Sequence, residues 1–281
     1  MERRSPLPVA VVTGATSGIG EAVAHQLAAS GHRIVVVSRD VGRCEATAAA
    51  LRAAGGEAEV VAADLSTRPG CDAAVAAVRG RHRSVRLLVN NAGAIYPSRS
   101  LTEDGHERTF ALNVLAPYRL ALGLARELSA TGGGARVVNV ASAAHRGQRL
   151  DLDDLEGARR WGSYRAYGRS KLALILLTAE MGRLTDAAST AFFSVHPGLV
   201  RTHWGAEARP AMRLAIRLGS LVALSPERAA RTVVYAATHP ALAGRSGLYI
   251  ARQHVVTPSR AARDAAMAAR LFQAVAAMAD G

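Results

Sequence analysis

Short apolar runs alternate along this chain with longer stretches whose apolar positions recur at helical spacing. Residues 8–13 form the first run, and 18–30 then read as a helix that Gly31 stops. Residues 34–38 are β-branched and predict a second strand; a helix over 41–54 follows, ended by Gly55-Gly56. Residues 59–63 predict a third strand, and Pro69 suits the first turn of the next helix. A fourth strand at 87–90 leads into a helix from about 102 to 130, which Gly132-Gly133-Gly134 closes. Strands at 136–141 and 191–196 flank a helix over about 163–185. Ser225-Pro226-Glu227 supplies an N-cap, an N1 proline and an early acid, so another helix begins there. Residues 248–250 predict a seventh strand, and 260–279 a final amphipathic helix.

Strands that are continuous apolar runs, each followed by a helix, imply a parallel sheet covered on both faces. The expectation is a single-domain α/β fold over residues 1–281, doubly wound and Rossmann-like, with about seven strands. Its ligands belong at the carboxyl ends of the strands. No linker-like stretch or internal repeat interrupts the pattern.

Composition narrows this picture. The chain has 281 residues, 49% of them apolar but only 4% aromatic, so Ala, Val and Leu must build a large core. The two cysteines, Cys44 and Cys71, cannot make a disulfide framework and match no zinc spacing, nor do the histidines show metal-ligand spacing. No metal is expected, and the natural reading is a reducing, cytoplasmic compartment. No apolar run approaches the ~18 residues that span a membrane. The net charge of +13 is carried almost wholly by arginines that are scattered, without a run of five or six, so no sequence-specific nucleic-acid partner is expected. Lysine and asparagine have nearly vanished: Lys171 stands alone, and Asn90, Asn91, Asn113 and Asn139 are the four asparagines. Each survivor invites a question about need.

Between the first strand and the first helix lies Thr13-Gly14-Ala15-Thr16-Ser17-Gly18-Ile19-Gly20. Glycines here allow a tight turn and let a pyrophosphate approach the helix N-terminus, where free N–H groups and the helix dipole favour an anion. A tight turn built only for close packing is the alternative. Tyr167 and Lys171 are four residues apart and share one face of a helix. A lone lysine placed at random would have a tyrosine at that spacing only ~2% of the time. A cation beside a tyrosine stabilises the phenolate and lowers a pKa that otherwise lies near ~10.

These segments together resemble the short-chain dehydrogenase/reductase family, from Val9 to about Ile250. The carriers are the Gly14, Gly18, Gly20 spacing, Asn90-Asn91-Ala92-Gly93 after the fourth strand, Ser142 closing the fifth, Tyr167-x-x-x-Lys171, and the loop His196-Pro197-Gly198-Leu199-Val200-Arg201-Thr202. The resemblance implies an oxidoreductase that moves a hydride between a nicotinamide and a carbonyl or alcohol carbon. It implies four catalytic residues. Tyr167 exchanges the proton, Lys171 supports it and reaches the nicotinamide ribose, Ser142 donates to the substrate oxygen, and Asn113 holds a water on the proton path. It also implies a cofactor site from Gly14, Ser17, Gly18, Ile19, Gly20, Asp64, Leu65, Asn91, Ala92, Gly93, Pro197, Gly198, Val200 and Thr202, with Asp64 at the adenine amino group and Leu65 nearby.

The end of the second strand addresses which cofactor. An acid there binds ribose hydroxyls, and an arginine accommodates a 2′-phosphate. Ser38-Arg39 stands at that point, with Asp40 one or two residues late, so Arg39 favours NADP(H) over NAD(H). The 25-residue gap from Ser142 to Tyr167, with Leu150-Asp151-Leu152-Asp153-Asp154-Leu155 inside it, looks like the retinol-dehydrogenase-like branch and implies a lipophilic substrate. Residues 199–224, with His203 and Trp204, would cover that substrate, and 259–281 would form the C-terminal helix, which could pack on the body or touch a membrane surface. The resemblance also implies a homodimer or homotetramer through the helices of Asn113 and Tyr167, with Leu172, Ile175 and Leu176 serving either that interface or the core. A non-catalytic NADP(H)-binding sensor or scaffold is the competing reading. Its mark would be a damaged Ser-Tyr-Lys set, and this set is complete.

Overall fold

The alternation of apolar residues within each strand decides the layering. Val9 and Val11 of β1 (Val9–Thr13) and Val35 and Val37 of β2 (Arg33–Ser38) enter one hydrophobic cluster, while Ala10, Val12, Ile34 and Val36 enter another. Successive strand residues point to opposite faces, so a strand apolar at every position needs cover on both sides. The computed structural model describes residues 6–199 and 224–280. In it, one sheet runs in the order β3-β2-β1-β4-β5-β6-β7-β8. The further strands are β3 (Glu57–Ala62), β4 (Leu87–Asn90), β5 (Ala135–Val140), β6 (Thr190–His196), β7 (Leu248–Ala251) and β8 (His254–Val255). All pair in parallel except β7 with β8.

Helices α1 (Gly18–Ala29), α2 (Val41–Ala53) and α8 (Pro226–Thr238) cover one face. On the other face lie α3 (Arg68–Arg81), α5 (Ala116–Gly123), α7 (Ser163–Leu184) and α9 (Ala265–Asp280). Between β1 and β4 the strand order reverses, which opens a crevice at their carboxyl ends. Among the described residues no helix is long and apolar enough to cross a membrane.

Three elements differ from the sequence expectation. The sheet has eight strands rather than about seven, because a two-residue β8 folds back on β7 through Arg252 and Gln253. A strand of two residues has no periodicity to read. The helix expected over 102–130 does not begin until Arg108. Leu101 instead bridges Glu107 in an antiparallel pair, and the Glu107 carboxylate caps the helix by accepting from Phe110 N–H at 2.9 Å. The helix then runs as α4 (Arg108–Phe110), a π-helical turn (Ala111–Leu115), α5, and, after a break at Leu124, α6 (Ala125–Ser129). Pro117 accounts for the π turn: it has no N–H for the carbonyl of Asn113, and its ring crowds that carbonyl. The final helix is likewise split, into a 3₁₀ turn (Arg260–Arg263) and α9, because the Asp264 carboxylate accepts from Met267 N–H at 2.9 Å and caps a new start. The start of α8 is as read: Ser225 caps it by accepting from Arg228 N–H.

The apolar face of α9 is committed to the body. Leu271 and Val275 are fully buried against α7 and α5, and Phe272 meets Tyr118 edge-on at 5.6 Å. Leu172, Ile175 and Leu176 lie under this cover, so within the single chain they are core.

Candidate active site

The crevice is built first from backbone. Thr13 ends β1, and its hydroxyl accepts from the N–H groups of Asn91 and Ala92 at 3.1 and 3.0 Å, which pins the loop after β4 to the glycine loop. The Asn91 amide returns the tie by donating to the carbonyls of Thr13 and Gly14 at 3.0 and 3.2 Å. Gly14 and Gly18 have φ of +63° and +56°, a region side chains resist. At Gly20 a Cβ would stand 2.2 Å from the Gly14 carbonyl oxygen, so only glycine lets α1 start this close to the loop. At Gly18 a Cβ would meet nothing within 4 Å, so this turn faces open space. The first helical bond in α1 runs from Glu21 N–H to the Ser17 carbonyl, which leaves the preceding amides at the positive end of the helix without helical partners. Ile19 is half-buried against the core. An orphaned-amide cradle of this kind fits the pyrophosphate of a dinucleotide.

At the ends of β2 and β3, Arg39 is exposed and close enough to Asp64 to act on its charge. Burial pushes the Asp64 carboxyl up, but hydrogen bonds from the Ser66 N–H and hydroxyl, with Arg39 and Arg108 nearby, hold it below the usual carboxylate range. Asp40 caps α2 by accepting from Arg43 N–H at 3.0 Å, so its carboxylate is already engaged. Arg43 was not singled out by the sequence. Its guanidinium donates to the Thr16 carbonyl at 3.0 Å, which brings a second cation to the rim beside Arg39, and its place three residues after the cap was the available signal. The Leu65 side chain is turned into the core, and its carbonyl accepts from the Cys71 thiol at 3.4 Å.

The expected chemistry converges at the ends of β4 and β5. Ser142 and Tyr167 share a side-chain hydrogen bond. Gly168 makes their approach possible: a Cβ there would stand 2.7 Å from the Ala144 carbonyl oxygen in the Ser142 loop. Lys171, one turn on, is buried, donates from Nζ to the Val140 carbonyl at 2.8 Å, and stands 5.6 Å from the Tyr167 ring centroid. Asn113, fully buried in the π turn, accepts from Ala94 N–H at 2.9 Å and donates to the Ala94 carbonyl and the Ser170 hydroxyl at 3.0 and 2.9 Å. Gly93 keeps this corner open; a Cβ would stand 3.0 Å from Asn113 Oδ1 and 3.2 Å from Lys171 Nζ.

Electrostatics differ from the simple expectation of a phenolate drawn down by its lysine. Burial pushes Tyr167 up to about 12, against the opposing pull of its Ser142 hydrogen bond. Burial also pulls Lys171 down to about 8. Both groups are therefore biased toward their neutral forms. Such a tyrosine is a proton donor in waiting rather than a ready base.

Pro197 and Gly198 follow β6, with Gly198 at φ +105°. Leu199 accepts from Leu224 N–H at 2.7 Å, which joins the two flanks of the expected substrate cover. Val200, Thr202, His203, Trp204 and the rest of 200–223 lie outside the described residues. The 150–155 segment docks on α7: Leu155 is buried, and the Arg169 guanidinium donates to the Asp154 carbonyl at 2.6 Å. A separate cavity of about 470 Å³ opens at the opposite, amino end of the sheet, among His32, Arg86, Arg136 and Thr238. Its arginines donate to the carbonyls of Gly133 and Ala236, and it has no part in this chemistry.

Known proteins resemble this chain in sequence and in fold. The family described as short chain dehydrogenase matches residues 8–213. A polyprenol dehydrogenase of Mus musculus is 39% identical over 280 residues, covering 95% of this chain and 82% of its own. Retinol dehydrogenase 13 of Homo sapiens is 32% identical over 275 residues, covering 95% and 83%. The crystal structure of L-sorbose reductase from Gluconobacter frateurii, complexed with NADPH and L-sorbose, superposes with a TM-score of 0.71 at 27% identity, covering 89% of this chain and 97% of that one. The chain belongs to the short-chain dehydrogenase/reductase family of oxidoreductases, in its retinol-dehydrogenase-like branch.

Proposed function

We propose that this protein is an NADP(H)-dependent oxidoreductase that interconverts a lipophilic aldehyde or ketone with its alcohol. The observation that carries the reading is the hydrogen bond between half-buried Ser142 and buried Tyr167, with Lys171 one turn on, set beside the amide cradle of the glycine loop. When bound, the nicotinamide supplies or accepts the hydride. The chain's residues handle orientation and the proton. The Ser142 hydroxyl donates to the substrate oxygen and aligns it with Tyr167. In the reductive direction Tyr167 gives its proton to that oxygen as negative charge develops there, a task suited to a phenol kept protonated by burial. Lys171 lends positive charge beneath the phenol, and Asn113 holds the backbone of Ala94 beside it. Arg39, with Arg43, receives the 2′-phosphate that separates NADP(H) from NAD(H). Asp64 and the Asn91–Gly93 turn would hold the adenine and nicotinamide halves, with Pro197 and Gly198 following β6 beside them, while the proposed contacts of Val200 and Thr202 lie outside the described residues.

The polyprenol and retinol dehydrogenases among the relatives support an apolar, isoprenoid-like substrate. Cys44 and Cys71 are free and buried, as suits a reducing cytoplasmic compartment. The complete Ser-Tyr-Lys set speaks against a non-catalytic sensor. The deciding experiment follows NADPH oxidation with long-chain and isoprenoid aldehydes and ketones, for the wild type and Tyr167→Phe. Turnover that disappears in the variant while NADPH still binds supports the reading. A variant as active as the wild type, or a wild type that binds NADPH and turns over none of the panel, overturns it.

A further inference from the structure

His145 has no role in the chemistry above, yet it is fully buried three residues after Ser142. Its Nδ1 lies 2.7 Å from the Ser142 carbonyl oxygen. Its Nε2 accepts from the backbone N–H of Ser259 at 3.2 Å, across 114 residues of sequence. A carbonyl can only accept and a backbone N–H can only donate, so these two partners fix the ring as neutral, with its proton on Nδ1. The Ser142 carbonyl also accepts from His145 N–H, and the Ser142 hydroxyl accepts from Ala144 N–H at 3.2 Å. The ring leans edge-on against Tyr249 at 5.3 Å. Among the described residues, the charged and titratable groups around it are Arg146, His196 and Tyr249, and none is a carboxylate. Burial, with Arg146 nearby, lowers the His145 pKa against the opposing pull of its Ser142 bond, which favours the neutral ring.

Ser259 opens the segment that turns into α9, and α9 packs along α7, the helix that carries Tyr167. The C-terminal segment thus touches both halves of the candidate catalytic pair, the tyrosine through helix packing and the serine through His145. We infer that His145 is a positioning residue that ties the Ser142 loop to the C-terminal segment at Ser259 and so sets the placement of Ser142 against Tyr167. The catalytic part of this inference rests on the proposed function; the tether itself does not.

Three variants separate the two bonds. Asparagine places an amide near Nδ1, so His145→Asn keeps a donor for the Ser142 carbonyl and loses the acceptor for Ser259. Glutamine reaches the Nε2 position, so His145→Gln does the reverse, and His145→Phe removes both. Two measurements are made on the full chain: kinetics with NADPH and a carbonyl substrate, and hydrogen exchange at the Ser259 amide. The expected results for His145→Phe are a kcat lowered at least about tenfold with KM for NADPH within about twofold. His145→Asn and His145→Gln each lack one of the two bonds, so each should lower kcat by about threefold or more. Exchange at Ser259 should accelerate about a hundredfold in the Phe and Asn variants and stay slow in the Gln variant. Unchanged kcat in His145→Phe, or a wild-type kcat in His145→Asn while exchange at Ser259 is fast, overturns the positioning role. Fast exchange at Ser259 in the wild type overturns the tether. Should His145→Phe fail to fold, the Asn and Gln variants still separate the two bonds. A wild type without turnover would sink the functional reading, while exchange at Ser259 would still decide the tether.

Discussion

Replacing Lys171 with methionine should stabilise the protein at neutral pH while it abolishes turnover. Lys171 is 4% exposed, and its ammonium donates to the Val140 carbonyl. Burial lowers its pKa from 10.5 to about 8. An amine with a folded pKa below its unfolded one costs stability wherever it is protonated in the fold. That cost is complete below about 8 and fades as the pH rises toward 10.5. That lowering corresponds to at most about 3 kcal/mol, because buried sites relax. Methionine has similar volume and no charge, but it leaves the Val140 carbonyl without its partner, a loss of about 1–2 kcal/mol. The net gain at pH 7 is about 1–2 kcal/mol, or a rise of a few degrees in Tm.

The pH dependence separates this reasoning from a generic packing effect. At pH 10 the folded wild type carries a neutral amine, and less than about 1 kcal/mol of the ammonium cost remains. The advantage of Lys171→Met should then vanish or reverse. Urea melts of the cofactor-free wild type and variant at pH 7 and pH 10, with NADPH oxidation measured alongside, read both effects. A variant less stable than the wild type at both pH values by the same margin would refute the argument, because the ammonium would then carry no burial cost.

Arg39→Ala should raise KM for NADPH about 10–100-fold and leave KM for NADH within about twofold, with Arg43→Ala adding to the effect; equal losses for both cofactors would remove the 2′-phosphate role. In Gly168→Ala the new Cβ would sit 2.7 Å from the Ala144 carbonyl oxygen, so α7 must back away from the Ser142 loop. Turnover should fall about tenfold or more while NADPH affinity, read by fluorescence, changes little; unchanged kcat would show that the loop gives way freely. Arg252 and Gln253 hold φ of +50° and +62° at the centre of the two-residue β7–β8 turn, which Asn-Gly favours. The double change Arg252→Asn, Gln253→Gly should stabilise by about 1 kcal/mol, and an unchanged Tm would mean the turn is relaxed by other contacts.

Much of the sheet was legible because the central strands are mostly apolar runs that feed both cores, a pattern few other structures require. The glycine loop and the Tyr167–Lys171 pair were legible because their spacing is itself the device. The rest depended on partners distant in the chain. The π turn follows from Pro117 in a stretch that otherwise reads as smooth helix, and its consequence, the Asn113–Ala94 clasp, spans two elements. Leu172, Ile175 and Leu176 could not be assigned to core or interface until α9 was seen lying over α7. Arg43 was one arginine among many, and His145 carried no motif. The protonation bias of Tyr167 and Lys171 depends on burial, which the sequence does not display.

The scarcity of asparagine does find a physical explanation. Asn90 donates to Asn139 Oδ1 at 2.9 Å, and Asn139 donates to the Thr178 hydroxyl at 2.9 Å, a ladder that fastens β4, β5 and α7 just below the site. Asn91 fastens β4 to the glycine loop, and Asn113 fastens the π turn to the loop after β4. In each case a short side chain donates an N–H where the surroundings are buried or half-buried, and Asn139 and Asn113 accept as well. Aspartate would lack the donor, serine the reach, and glutamine would add a rotatable bond to freeze. Lysine survives on the same terms: an arginine at 171 would bring a planar fork into a corner closed by Gly93, Asn113 and the Val140 carbonyl. Residue types that the chain elsewhere does without are kept where two strand ends, a bent helix and the Tyr167 helix must be held in one arrangement.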